Sequence, residues 1–115
     1  MIDLGFLFFV PMEIRYCSSQ IEHFLCSLHS PVYEKTMKVL SRLEMYGNAL
    51  EFPLSKPIGG GLFELRARSL VEVRMIYVYR GGCAVILHAF VKKSMRISTK
   101  DLLMARARLR SIDSL

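Results

Sequence analysis

Residues 56–93 contain three strand-like segments in quick succession, and this limits what the chain can fold into more than any other feature. Leu62–Arg68 reads LFELRAR, Glu72–Tyr79 reads EVRMIYVY and Ala84–Val91 reads AVILHAFV, the last two rich in β-branched and aromatic residues. The last two are joined by Arg80-Gly81-Gly82-Cys83. A Gly-Gly pair there is a strong hairpin signal, because two-residue turns require positive φ. Sequential strands with short turns imply an antiparallel meander.

Each segment carries Arg, His or Lys at or near one end: Arg66 and Arg68, then Arg74, then His88 followed by Lys92-Lys93. Acids are few among them, and no cluster of metal ligands accompanies them. Twelve of the 16 Lys and Arg lie after residue 55, together with only four of the 10 Asp and Glu. That asymmetry favours an anionic partner: a nucleic acid, an acidic protein or a membrane surface.

The remaining elements frame this sheet. Residues 4–10 or 12–16, or both, open the chain as a strand or hairpin. Ser19 precedes Ile21, Phe24, Leu25 and Leu28, a helical spacing with one buried face. Ser30-Pro31 marks a second helix, with Ser as N-cap and Pro in the first helical position. Gly47-Asn48 ends it. Residues 49–61, with Pro53, Pro57 and Gly59–Gly61, form a loop. Ser98 or Thr99 starts a last helix reaching about Ile112, with Leu102, Ala105, Leu109 and Ile112 toward the sheet.

The expected architecture is α+β: a small antiparallel β-sheet with an N-terminal helical hairpin and a C-terminal helix. The helices are expected on one face, leaving the other for function. The 115 residues are expected to form one domain, with residues 1–11 either a first strand or an extension ahead of an alternative start at Met12. Leu4–Val10 is too short to span a bilayer and lacks the marks of a signal peptide. Cys17, Cys26 and Cys83 include no CxxC pair, which fits a reducing cytosol and gives no zinc signal. Cys26, in an apolar stretch, is expected in the core.

Alternation in Leu62–Arg68 puts Glu64, Arg66 and Arg68 on one face. Arg74 sits within an apolar run, and a buried guanidinium needs an anion. Glu72 on the same face is one candidate, and a bound phosphate is another. The position of His88 depends on register. A plain two-residue turn sets Arg74 against Ala89 and turns His88 to the opposite face. A longer turn or a bulge sets His88 against Ile76, on the Arg74 face. Lys92, Lys93, Arg96 and Lys100 form a basic stretch suited to gripping phosphate, and Lys56 with the glycine run extends that grip. The glycines are not a P-loop, since Leu62-Phe63 follows them. Tyr77, Tyr79 and Phe90 can stack bases, but packing is the stronger reading for aromatics at alternating strand positions.

The blocks KPIGGGLFELR, VRMIYVY and VILHAFVKK, with SSQIEHFLCSL upstream, resemble the RelE/ParE toxin superfamily, and within it the phage-derived, Gp49-like HigB-type toxins. The resemblance covers roughly residues 19–112. It implies the toxin of a type II toxin–antitoxin system: a cytoplasmic, metal-independent endoribonuclease without cofactor that cuts mRNA, commonly on the ribosome. It also implies a cognate antitoxin, a helix-turn-helix protein, as partner. Carried over by position, Arg66 and Arg74 hold the phosphate, and His88, Lys92 and Lys93 flank the scissile bond. Lys56, Arg68, Arg96 and Lys100 bind RNA around them. The implied reaction is attack of a ribose 2′-hydroxyl on its own 3′-phosphate. Some relatives use a late Tyr as base, and this chain has none after Tyr79. His88 or a Lys then takes that role. Other superfamily members poison gyrase without cutting RNA, which is one alternative; the other is an inactive relative that only binds an antitoxin or operator DNA.

Overall fold

The structure, a computed structural model, describes residues 11–115. The expected strand at 4–10 lies outside these residues. Strand β1 is Glu13–Tyr16, helix α1 is Ser19–Cys26 and helix α2 is Val32–Tyr46, followed by a 3-10 turn, Gly47–Ala49. Strands β2 (Ser55–Gly59), β3 (Leu62–Arg68), β4 (Glu72–Arg80) and β5 (Cys83–Val91) follow, then helix α3 (Thr99–Asp113). The strands form one sheet in the order β1-β5-β4-β3-β2. The α+β class, the N-terminal helical pair and the C-terminal helix are those expected. None of the described helices is long and apolar enough to cross a membrane.

The sheet is mixed rather than purely antiparallel. The β2–β5 meander is antiparallel, but β1 lies parallel to β5, with Glu13 beside Cys83 and Tyr16 beside Ile86. A second difference is β2, inside the stretch expected as loop. It pairs with β3 from Ser55↔Leu65 to Gly59↔Leu62. Pro57 argues against a strand, yet β2 is the sheet's outer strand, where a missing N–H breaks no ladder.

Helices cover both faces, not one. Ile21 and Leu25 of α1 and Val39, Leu40 and Leu43 of α2 pack with Leu65, Met75, Tyr77 and Ile86 on one side. On the other, Ala105 of α3, flanked by Leu102, Leu109 and Ile112, covers Leu62, Ile76, Val78 and Leu87. The cause is legible in β4. Its alternate residues Val73, Met75 and Tyr77, and then Ile76 and Val78, are apolar on both parities. A strand apolar on both faces needs cover on both.

Two local expectations also change. Pro31 itself is the N-cap of α2, and Ser30 makes no capping bond. The preceding turn does that work: the Tyr33 N–H donates to the His29 carbonyl at 3.0 Å. Cys26 is exposed, because it lies one step beyond Leu25 and off the buried stripe of α1. Gly47 ends α2 at φ 52°, and a Cβ there would come within 3.1 Å of the Met12 side chain.

The hairpin resolves the position of His88. The turn is the two-residue kind, with Arg80 opposite Cys83, but a bulge follows: Tyr77 pairs with Ile86 and Ile76 with His88. Leu87 is the extra residue. The slip turns His88 and Phe90 onto the face that carries Arg74.

Candidate anion-binding site

The α3 side of the sheet carries the charged residues of β3 and β4 near one end of the strands. Arg66 lies directly across from Arg74, and Arg68 from Glu72. Like charges opposed on neighbouring strands repel, and the two glutamates answer this. Glu64, 1% exposed, accepts from Arg66 Nε at 2.7 Å and from Arg74 Nη1 at 2.9 Å. Glu72 accepts from Arg74 Nη2 at 3.2 Å, and Lys92 Nζ lies 3.2 Å from the same oxygen. Arg68 Nη2 reaches the other Glu72 oxygen at 3.5 Å. Burial works against ionisation of Glu72, but Lys92 and Arg74 outweigh it and hold its carboxyl below the usual range.

The few acids of this region are therefore its organising centre. Arg74, 4% exposed, is clamped between two carboxylates, yet its Nε has no hydrogen-bond partner among the described residues. Arg74 forms part of the wall of a groove of about 540 Å³ between the end of β5 and the start of α3. Lys92, Lys93, Arg96 and Lys100 line the same groove, with Phe24 and Phe90 as apolar walls. Lys93, Arg96 and Lys100 form no ion pair with the acids of the described residues. A smaller cavity joins Lys56, Arg66, Arg74 and Arg96. Seven of the nine residues read from sequence as site candidates thus line these two cavities. His88 and the exposed Arg68 line neither.

His88 is on the same face but fully engaged. Its Nε2 lies 2.7 Å from Asp101 Oδ1, and its Nδ1 lies 3.3 Å from Arg108 Nη1. Guanidinium only donates, so Nδ1 accepts and the proton sits on Nε2, toward Asp101. Arg108 also donates to the Leu87 carbonyl at 2.8 Å and to Gln20 Oε1 of α1 at 3.3 Å. The Ser98 hydroxyl donates to Asp101 Oδ2 at 2.6 Å and accepts from the Asp101 amide at 3.1 Å. His88 thus fastens α3 to the sheet. Burial opposes ionisation of Asp101, but Ser98 and His88 together keep its carboxyl below the usual range.

Glu64 as the partner of Arg74 was not anticipated, nor were Asp101, Arg108 and Gln20. Two signals were available. Asp101 stands three residues after the capping Ser98, and Arg108 stands two helical turns beyond Asp101, on the same side of α3. The aromatics divide as packing predicts. Tyr77 is buried with its hydroxyl bonded to Ser55, and Tyr79 donates to the Gly47 carbonyl at 3.1 Å. Burial, with the neighbouring Tyr77 hydroxyl, pushes the Tyr79 phenol well above its ordinary range. Phe90 stacks on His88 at 5.4 Å between centroids. Among the described residues, no group of three or more His, Cys, Asp or Glu is placed to hold a metal ion.

A pH dependence follows from the lowered carboxyls of Asp101 and Glu72. Their folded values lie below their unfolded values of about 4. The unfolded chain therefore binds more protons in that window. The stabilisation is present above about pH 4 and is lost as pH falls through the lowered values. Urea midpoints are expected to fall between pH 6 and pH 3, and to fall less in an Asp101→Asn variant. Equal slopes in the two proteins would remove Asp101 from the effect.

The fold and this groove define a small α+β protein with a cationic site on the rim of its sheet. Residues 23–110 match the family described as Phage derived protein Gp49-like (DUF891), and the chain belongs to that toxin-like family. No curated protein matches the chain.

Proposed function

We propose that this protein is the toxin of a type II toxin–antitoxin pair, of the HigB type within the RelE/ParE superfamily, and that it cleaves mRNA on the translating ribosome. One observation supports this above the rest. Three cations that form no ion pair among the described residues, Lys93, Arg96 and Lys100, border a groove where a buried guanidinium has an N–H without a partner among those residues. Such a site suits a chain of phosphates.

In this reading the RNA 2′-oxygen forms a bond to phosphorus as the bond to the 5′-oxygen breaks, leaving a 2′,3′-cyclic phosphate. The nucleophile is already attached to the substrate, so positioning and charge neutralisation supply most of the acceleration. Arg74 and Lys92 face the non-bridging oxygens, Arg66 steadies Arg74 through Glu64, and Lys93 and Arg96 hold the strand. One proton leaves the 2′-hydroxyl for water, and another joins the departing 5′-oxygen. His88 transfers neither from its resting geometry, because both ring nitrogens are engaged. Lys93, an exposed ammonium of the groove next to Lys92, supplies the second. The reading calls for no cofactor and places the protein in the cytoplasm. It implies an antitoxin, a helix-turn-helix protein, whose contact region is acidic.

Induction in bacteria, with mapping of new RNA 5′ ends, tests this. Growth arrest with cuts at fixed codon positions inside translated messages is the expected result. Arrest without new ends would overturn the nucleolytic reading in favour of gyrase poisoning, and no arrest from soluble protein would overturn both.

A further inference from the structure

Three cations, from β3, from β4 and from just beyond the end of β5, converge on the carboxylate of Glu72. Arg74 Nη2 and Lys92 Nζ each lie 3.2 Å from Oε2, and Arg68 Nη2 lies 3.5 Å from Oε1. The side chain is only 9% exposed. Two of these cations, Arg74 and Lys92, also line the large groove, whereas Glu72 lies behind its wall. We propose that Glu72 is a built-in competitor for phosphate: its carboxylate occupies the cation seat that a phosphate entering the groove must share or take over.

A carboxylate and a phosphate present the same kind of anionic acceptor oxygens to Lys and Arg. Lys92 and the Nη2 of Arg74 serve Glu72 at rest, so an incoming phosphate gains their charge only as they turn from it. The Nε of Arg74, unpartnered among the described residues, is a second, independent sign that the carboxylates do not use every donor of the seat. Glu64 plays a different part. It grips Arg74 through Nη1 and ties it to Arg66, and it aims the guanidinium without engaging Lys92. The two glutamates on either side of Arg74 thus have opposite effects on anion binding, Glu64 building the seat and Glu72 occupying it. The consequence is a grip on phosphate weaker than the count of cations suggests, which favours release of cut RNA. The inference rests on the nucleolytic reading for the identity of the ligand, a phosphodiester. The seat itself stands on the geometry.

The test compares the wild-type chain with Glu72→Gln, Glu72→Asp and, as a control for net charge, Glu34→Gln on the exposed side of α2. The probes are a fluorescent RNA with every 2′-hydroxyl methylated, so that it cannot be cut, and inorganic pyrophosphate. Glu72→Gln is expected to bind both about tenfold more tightly, and Glu34→Gln less than about twofold. Glu72→Asp keeps the charge and withdraws the carboxylate by one methylene. It is expected to tighten binding severalfold, and it decides the matter if the Gln variant does not fold. Tightening for pyrophosphate while no protein binds the RNA would uphold the seat and overturn the nucleolytic reading. Affinities in both Glu72 variants no greater than in Glu34→Gln would overturn the proposal.

Discussion

Replacing Glu64 with glutamine is expected to lower the stability of the fold by about 3 kcal/mol. The side chain is 1% exposed and each oxygen accepts from a different guanidinium. A glutamine amide keeps one acceptor but turns an N–H₂ toward a group that only donates. It also leaves Arg74 buried with Glu72 as its one remaining counter-charge. Removing one partner of a buried pair costs far more than the pair's net worth, because the other charge stays desolvated. The double variant Glu64→Met, Arg74→Met is therefore expected to recover much of the loss, since it removes both charges from the buried centre. The check is urea unfolding of the three proteins. Midpoints should shift with an unchanged slope, which reports stability rather than altered compactness. A Glu64→Gln protein within about 0.5 kcal/mol of the wild type would show that solvent already relieves Arg74, and would remove the basis for treating this network as the frame of the site.

The same network shows where sequence reading reaches its limit. The three β-strands, the hairpin at Gly81-Gly82 and the faces of α1 and α3 are encoded locally, in periodicity and turn chemistry, and the structure bears them out. Burial of Arg74 was legible from its apolar neighbours, and Glu72 as partner from alternation. What local pattern does not carry is which strands adjoin. The pairing of Glu64 Oε2 with Arg74 depends on the β3–β4 register, which sets Glu64 opposite Ile76, one step from Arg74. The bulge at Leu87 is likewise a tertiary outcome: two registers were open, and the one that occurs also lets Leu87 pack beneath α3. The strand expected at 12–16 is β1, but its parallel pairing with β5, and strand β2 itself, were missed for a related reason, since both are edge strands completed by distant partners. His88 is the sharpest case. Its residue type and place suggested proton transfer, but the groups that engage it, Asp101 and Arg108, lie 13 and 20 residues further on.

The proposed role of Lys93 in place of His88 sets the second large effect. Lys93→Ala with Arg96→Ala is expected to abolish growth arrest and slow RNA cutting by at least about 100-fold, with the unfolding midpoint unchanged. Both side chains are exposed and pair with no acid among the described residues, so their loss removes charge from the groove and little packing. His88→Gln should behave in the opposite way. Glutamine can still donate to Asp101, but it lacks the second ring nitrogen near Arg108 and the ring that stacks on Phe90. The clasp on α3 weakens and the midpoint falls, while the folded fraction cuts RNA within about tenfold of the wild-type rate. A general acid or base contributes about 10²–10⁴ in rate, so a loss of that size in His88→Gln, measured at a temperature where the variant is folded, would restore His88 as the proton-transfer group. It would also mean that Arg108 and Asp101 release the ring when RNA binds. Arg74→Ala cannot separate these readings, because the same residue anchors Glu64 and Glu72 and its removal lowers stability and activity together. The decisive comparison is therefore between exposed Lys93 and engaged His88, each read by rate and midpoint in the same preparation.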